Sequence, residues 1–169
     1  MIKRILVVAM LVSPCLYADW IDDLAQQAQG KKLDVSKSVK VMEGYISKDK
    51  EEISQYEGKL IAPHKTGMVA TMRDETVKLK REAARASLRH HTKVRDFIKT
   101  LPKNERDREK FAEKLSHIKE VQSELAVLKD ETSKTGTVVD ATKNAASIAL
   151  KEGQVKTMKA GIQTAFMLS

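Results

Sequence analysis

Apolar side chains recur along this chain at steps of three and four, and no stretch alternates with the period of a strand. The clearest run is Val35, Val39, Met42, Ile46, Asp49, Ile53, Tyr56 and Leu60. Steps that alternate between four and three keep one stripe on one side of a helix, turned toward a partner helix. Asp49 is the charged member of that stripe. A buried carboxylate without a partner is costly, so Asp49 is expected to meet a Lys or Arg, or to lie where the seam opens to water.

Three further segments carry the same period. Met72, Thr76, Leu79, Ala83, Ala86, His90, Val94, Phe97 and Leu101 share one face. Phe111, Leu115, Ile118, Gln122, Leu125 and Leu128 share another, and Val138, Ala141, Ala145, Ile148, Glu152, Val155, Ile162 and Phe166 a third. All four seams are thin, with alanines and polar residues among their members, which predicts slender helices packed side by side. A short amphipathic piece with Trp20, Ile21 and Leu24 as its apolar side precedes them.

The breaks have local causes. Pro63 disfavours helical backbone at Ala62, and Gly67 permits a turn. Pro102 ends the second long segment, and Asn104 with Asp107 three residues on is a capping pair for the third. A Ser, Thr and Gly cluster over 132–136 follows, and Thr137 with Asp140 can cap the fourth. The predicted helices span 20–29, 34–61, 68–101, 104–131 and 137–167. Short connections make neighbouring helices antiparallel, so the fold class is all-α: an elongated antiparallel bundle of four long helices with coiled-coil-like seams, after the short N-terminal helix. Closure within one chain and completion of the core in a homo-oligomer both satisfy the pattern.

The first residues divide the chain into a signal peptide, 1–18, and a single helical domain, 19–169. Lys3 and Arg4 precede an apolar run over 5–12, and a short polar stretch ends in Ala18. That run rises only about 12 Å as a helix, against a bilayer core of about 30 Å. Cleavage after Ala18 sends the protein to the periplasm or outside the cell. Bacterial lipoproteins resemble this stretch in placing a cysteine, here Cys15, directly after the apolar core, but Pro14 stands where their motif has a small residue. Anchoring at Cys15 is the alternative address. Cys15 is the sole cysteine, so a chain cut at Ala18 has no disulfide and folds on packing alone.

Charge is uneven. The formal net charge is +8, and nine Lys or Arg stand between Lys78 and Lys103 against Glu82 and Asp96. Lys78, Arg81, Arg85 and Arg89 step by three and four and are expected to form an outward basic stripe on the second long helix. Such a stripe concentrates positive potential where an acidic or anionic partner docks, and arginine suits bidentate contact with carboxylate or phosphate. Pairing with Glu51, Glu52 and Glu57, or with Glu109, Glu113, Glu120 and Glu124, is the competing use of these cations. The expected partner is a protein of the cell envelope, with anionic lipid or lipopolysaccharide as further contacts. Nucleic acid is not expected of an exported chain whose basic stretch has only Phe97 for stacking.

The histidines are candidate metal ligands, since helical bundles hold metals between facing helices. At about 100° per residue, His90 falls on its seam, His91 about 120° from the reference residue Leu79, and His117 on a flank. The reading is one seam histidine and two surface histidines, with a metal or haem sensor built on His90 as a lesser alternative. No nucleophile elbow, phosphate loop or zinc spacing occurs, so neither an enzyme nor a cofactor is expected. The function expected is that of an exported, non-enzymatic interaction protein, an envelope adaptor or a secretion or assembly component, with a periplasmic holdase chaperone as the alternative. Small basic holdases and minor components of secretion machines are similar in class: signal, small size, long helices.

Overall fold

Asp34 and Asn104 start the two helices that set the frame. The Asp34 carboxylate accepts the Lys37 backbone N–H at 3.0 Å, and its carbonyl accepts the Ser38 N–H and hydroxyl. The Lys37 amide holds the Asp34 carboxyl below its ordinary range, as an N-cap carboxylate should be. Asn104 accepts the Asp107 N–H at 3.2 Å while its amide donates back to the Asp107 carboxylate, the reciprocal pair expected from the sequence.

The computed structural model describes residues 19–61, 68–134 and 138–167. Helix α1, Asp19–Ala25, is followed by two short strands, β1, Ala28–Gln29, and β2, Lys32–Leu33. The long helices are α2, Val35–Ile61, α3, Met68–Thr100, α4, Glu105–Lys134, and α5, Val138–Met167, with a single 3₁₀ turn, Leu101–Lys103, between α3 and α4. The described chain is all-α apart from the strand pair. The segment 1–18 with Cys15, the break at 62–67 and the Thr137 cap lie outside the described residues.

One departure is local. Residues 26–33 were expected to finish the first helix and lead into the next, but they form a tight hairpin in which Ala28 faces Leu33 and Gln29 faces Lys32. Gly30 adopts φ 56°, the positive value a two-residue hairpin turn requires, and that ends helix continuation. Ala28 and Leu33 are buried, and the Ser116 hydroxyl of α4 donates to the Gly30 carbonyl at 3.0 Å.

The long helices associate in two pairs, of which α2 and α3 run antiparallel. In α2 and α3, Glu43 meets Lys99, Asp49 meets His91, and Glu57 meets Arg85, so numbers fall along one helix as they rise along the other. In α4 and α5, Glu124 meets Lys151 and Lys129 meets Glu152. Helix α1 and the hairpin are wedged where the pairs meet. Asp22 accepts from Gln122 of α4 at 2.7 Å and Lys159 of α5 at 2.6 Å, and Tyr45 of α2 donates to Asp23 at 2.8 Å.

Burial follows this geometry. The core joins Trp20, Ile21, Leu24, Met42, Val94, Ile98, Leu101, Leu115, Ile118 and Ile162, all from the end of the molecule that holds α1. Among the described side chains, none of α2 beyond Asp49, of α3 before Ala84, of α4 beyond Val121 or of α5 before Val155 is buried. The distal seams are half-covered at best: Met72 of α3 is 66% exposed, and Thr76 and Ala145 are also exposed, against their place in the expected seams. A pair of helices alone cannot enclose a seam; a third or fourth element does so only at the base.

Candidate functional site

Four features could carry function. The first is the basic stripe. Lys78 is exposed and pairs with Glu75 at 3.1 Å in its own helix. Arg81 is half-buried beside Glu82, and Arg85, also half-buried, bridges Glu82 at 3.0 Å and Glu57 of α2 at 2.8 Å. Arg89 is exposed and meets no carboxylate among the described residues. Arg95 is held by Asp96 and Lys99 by Glu43, so much of the charge of α3 is matched locally or by α2. Lys80, Arg89, Lys93 and Lys103 have no acidic partner among the described residues, and Arg89 and Lys93 stand one turn apart on one side of the helix.

The second is a polar node inside the α2–α3 seam. The Ser87 hydroxyl donates to Asp49 Oδ1 at 2.9 Å, and His91 Nδ1 donates to Asp49 Oδ2 at 2.7 Å. The expectation of a Lys or Arg for Asp49 is corrected: a histidine and a serine satisfy it. His91 was expected at the surface and is only 2% exposed. Helix α3 contacts α2 on one side and α1 and α5 on another, so its buried arc is wider than one stripe and takes in His91. Ser87 Oγ also lies 3.4 Å from His91 Nδ1, and the imidazole's second nitrogen is buried without a hydrogen-bond partner. The node clamps α2 to α3.

His90 lies beside it, packed edge-on against Trp20 at 5.7 Å and Phe166 at 6.4 Å between ring centres. Burial, aided by the neighbouring His91 and Lys93, pushes its pKa down to about 4. His117 is on the surface, 3.7 Å from Glu120. Among the described residues no three His, Cys, Asp or Glu side chains converge as a metal ion would need. Nothing in this geometry favours the sensor reading of His90.

The fourth feature was not found from sequence. A groove of about 600 Å³ opens between the end of α3, the start of α4 and the end of α5. Its floor is made by Phe97, Phe111 and Phe166, all the phenylalanines of the chain, with ring centres 5.1 to 6.2 Å apart and edges on faces. Its rim carries Lys93 from α3 and Lys110 and Lys114 from α4, none with a carboxylate partner among the described residues. Asp96 and Asp107 also line it, but Arg95 and Asn104 hold them. The phenylalanines were legible as seam members. That their outer edges stay open depends on how α3, α4 and α5 meet.

Among the described residues no helix is long and apolar enough to cross a membrane. Compared with known protein families, with characterised proteins and with solved structures, the chain matches none.

Proposed function

We propose that this is an exported, non-enzymatic helical interaction protein of the cell envelope, an adaptor or assembly component that binds an acidic or anionic partner through the basic face of α3. One observation carries the reading: Arg89 and Lys93, one turn apart on α3, form no ion pair among the described residues, although most other cations of that helix are matched within the chain. Cations left unmatched beside matched ones supply a field that an acidic protein surface, or the head groups of anionic lipid or lipopolysaccharide, can neutralise. In this reading residues 1–18 are a signal peptide cut after Ala18, and the four long helices form an elongated antiparallel scaffold whose distal seams close on each other or on a second copy.

The test is charge reversal. Arg81→Glu with Arg89→Glu removes salt-sensitive binding to anionic vesicles or to a purified envelope partner while far-UV helicity stays constant; unchanged binding makes the face a solvated surface only. Mass spectrometry of the exported protein checks the address, with an N-terminus at Asp19 expected and a lipid on Cys15 placing it on a membrane.

A holdase chaperone is the second reading, favoured by the exposure of Met72, Val127 and Leu150 on the distal halves. It predicts suppression of a client's light scattering at low molar ratio, with loss when these three are changed to serine.

A further inference from the structure

The groove floored by the phenylalanines does not end at Phe166. A second hollow of about 310 Å³ shares Lys114 and Ile162 with it, and a third of about 550 Å³ shares His117 and Met158 with the second. Together they trace one open channel along the face between α4 and α5, from Phe166 back to Ala149. At about 1.5 Å per residue this is roughly 25 Å, or about five helical turns. Gly161 and Gly153 line it, and a Cβ at either would meet nothing within 4 Å, so no packing within the chain calls for glycine there. Leu150, 67% exposed, marks its far end.

We infer that this channel is a docking site for an acidic amphipathic α-helix of another protein. The length and openness suit a helix laid along α4 and α5 as a third member, where a small ligand would need enclosure that an open channel does not give. The apolar floor asks for large side chains at helical spacing: one in the cleft of Phe97, Phe111 and Phe166, the next over Ile118, Ile162 and Met158, a last one beside Leu150. The rim decides the charge. Lys93 stands on one wall beside Asp96, which Arg95 holds, and Lys110 and Lys114, one turn apart, stand with Asp107 on the other, so the rim carries three lysines against two aspartates and a helix with Glu or Asp flanking its apolar stripe meets a net cationic edge. A second copy of this basic chain would present the wrong sign at this end. The inference does not rest on Lys78, Arg81, Arg85 or Arg89, which do not line the channel; Lys93 alone is shared with the basic face of α3.

The experiment uses the full protein and a panel of labelled peptides of about 18 residues, Leu or Phe at helical spacing, flanked either by Glu or by Lys. The Glu peptides bind by fluorescence anisotropy, gain helicity on binding and weaken as salt rises, while the Lys peptides bind at least about tenfold more weakly. Lys110→Glu with Lys114→Glu, both exposed, reverses that preference. Gly161→Leu places a side chain in the open channel and raises helix propensity, so it melts no lower than the parent yet weakens the Glu peptides by at least about tenfold. Failure of every Glu peptide to bind, equal binding of both sets, or indifference to Gly161→Leu overturns the inference. Displacement of the peptide by submillimolar laurate, with laurate binding lost in Gly161→Leu, would make the channel an acyl-chain site instead. Loss of vesicle binding in the Arg81 and Arg89 variant with peptide binding intact separates this site from the basic face of α3.

Discussion

At the base of the molecule Trp20, Ile98, Leu115 and Ile118 are fully enclosed, whereas at the far ends of the same helices Met72, Val127 and Leu150 stand more than half in water. The helical period is as regular in one region as in the other. The base has α1 and the hairpin inserted between two helix pairs, and each large side chain buried there contributes about 1.5–3 kcal/mol. Among the described residues of the distal halves no side chain is buried, so the seams there stay partly wet. Regular patterning therefore makes helices in both regions, but enclosure, and with it most of the stability, needs a third element.

The strongest way to break this contrast is Trp20→Ala. Trp20 is buried on all sides and touches His90, His91 and Phe166, so its loss costs about 3–5 kcal/mol and lowers the melting temperature well before any distal change does. If the melting temperature moves no more than it does for Leu150→Ser, the base is not the centre of stability.

Acid comes next. His90 has a folded pKa of about 4 against an ordinary 6.5, so the unfolded chain takes up a proton that the folded chain refuses. Stability is full above pH 6.5, falls as pH drops toward 4, and from this group falls no further below that; the loss is up to about 3 kcal/mol. His90→Gln flattens the urea midpoint across that window, and an equally steep parent and variant would assign the loss to other groups.

Asp49→Ala leaves His91 Nδ1 and the Ser87 hydroxyl without their acceptor inside the seam and costs about 1–3 kcal/mol, read from the same urea curves. At the other end of the scale Gly153→Ala gains about 0.5–1 kcal/mol, because helix propensity improves and the added Cβ meets nothing. Leu150→Ser changes stability by no more than about 0.5 kcal/mol, and amide exchange in the distal halves outpaces that of the base in every variant except Trp20→Ala.

Much of the framework was legible. The α2 stripe from Val35 to Leu60 is buried or half-buried at each position, the Asn104–Asp107 cap forms, and Pro102 marks the turn between α3 and α4. These features depend on residues within one or two turns of each other. His91 was expected at the surface, but Asp49 and Tyr45 of α2 and Trp20 of α1 cover it, contacts that no local pattern records. The 26–33 hairpin was missed because its burial against α4 outweighs a weak local helical pattern once Gly30 permits the turn.

The candidate site divides the same way. The excess of cations between Lys78 and Lys103 is a property of the chain alone, and so are the period that makes helices and the breaks that separate them. Which cations remain unmatched depends on the neighbouring helix: Glu57 reaches Arg85, and among the described residues no acid pairs with Arg89 or Lys93. The groove belongs wholly to the tertiary structure, because Lys93, Lys110 and Phe166 come from three helices and share a surface only once those helices have packed. Local order follows from interactions a few residues long, while a shared surface depends on which faces meet, and that is decided by the burial of the whole base.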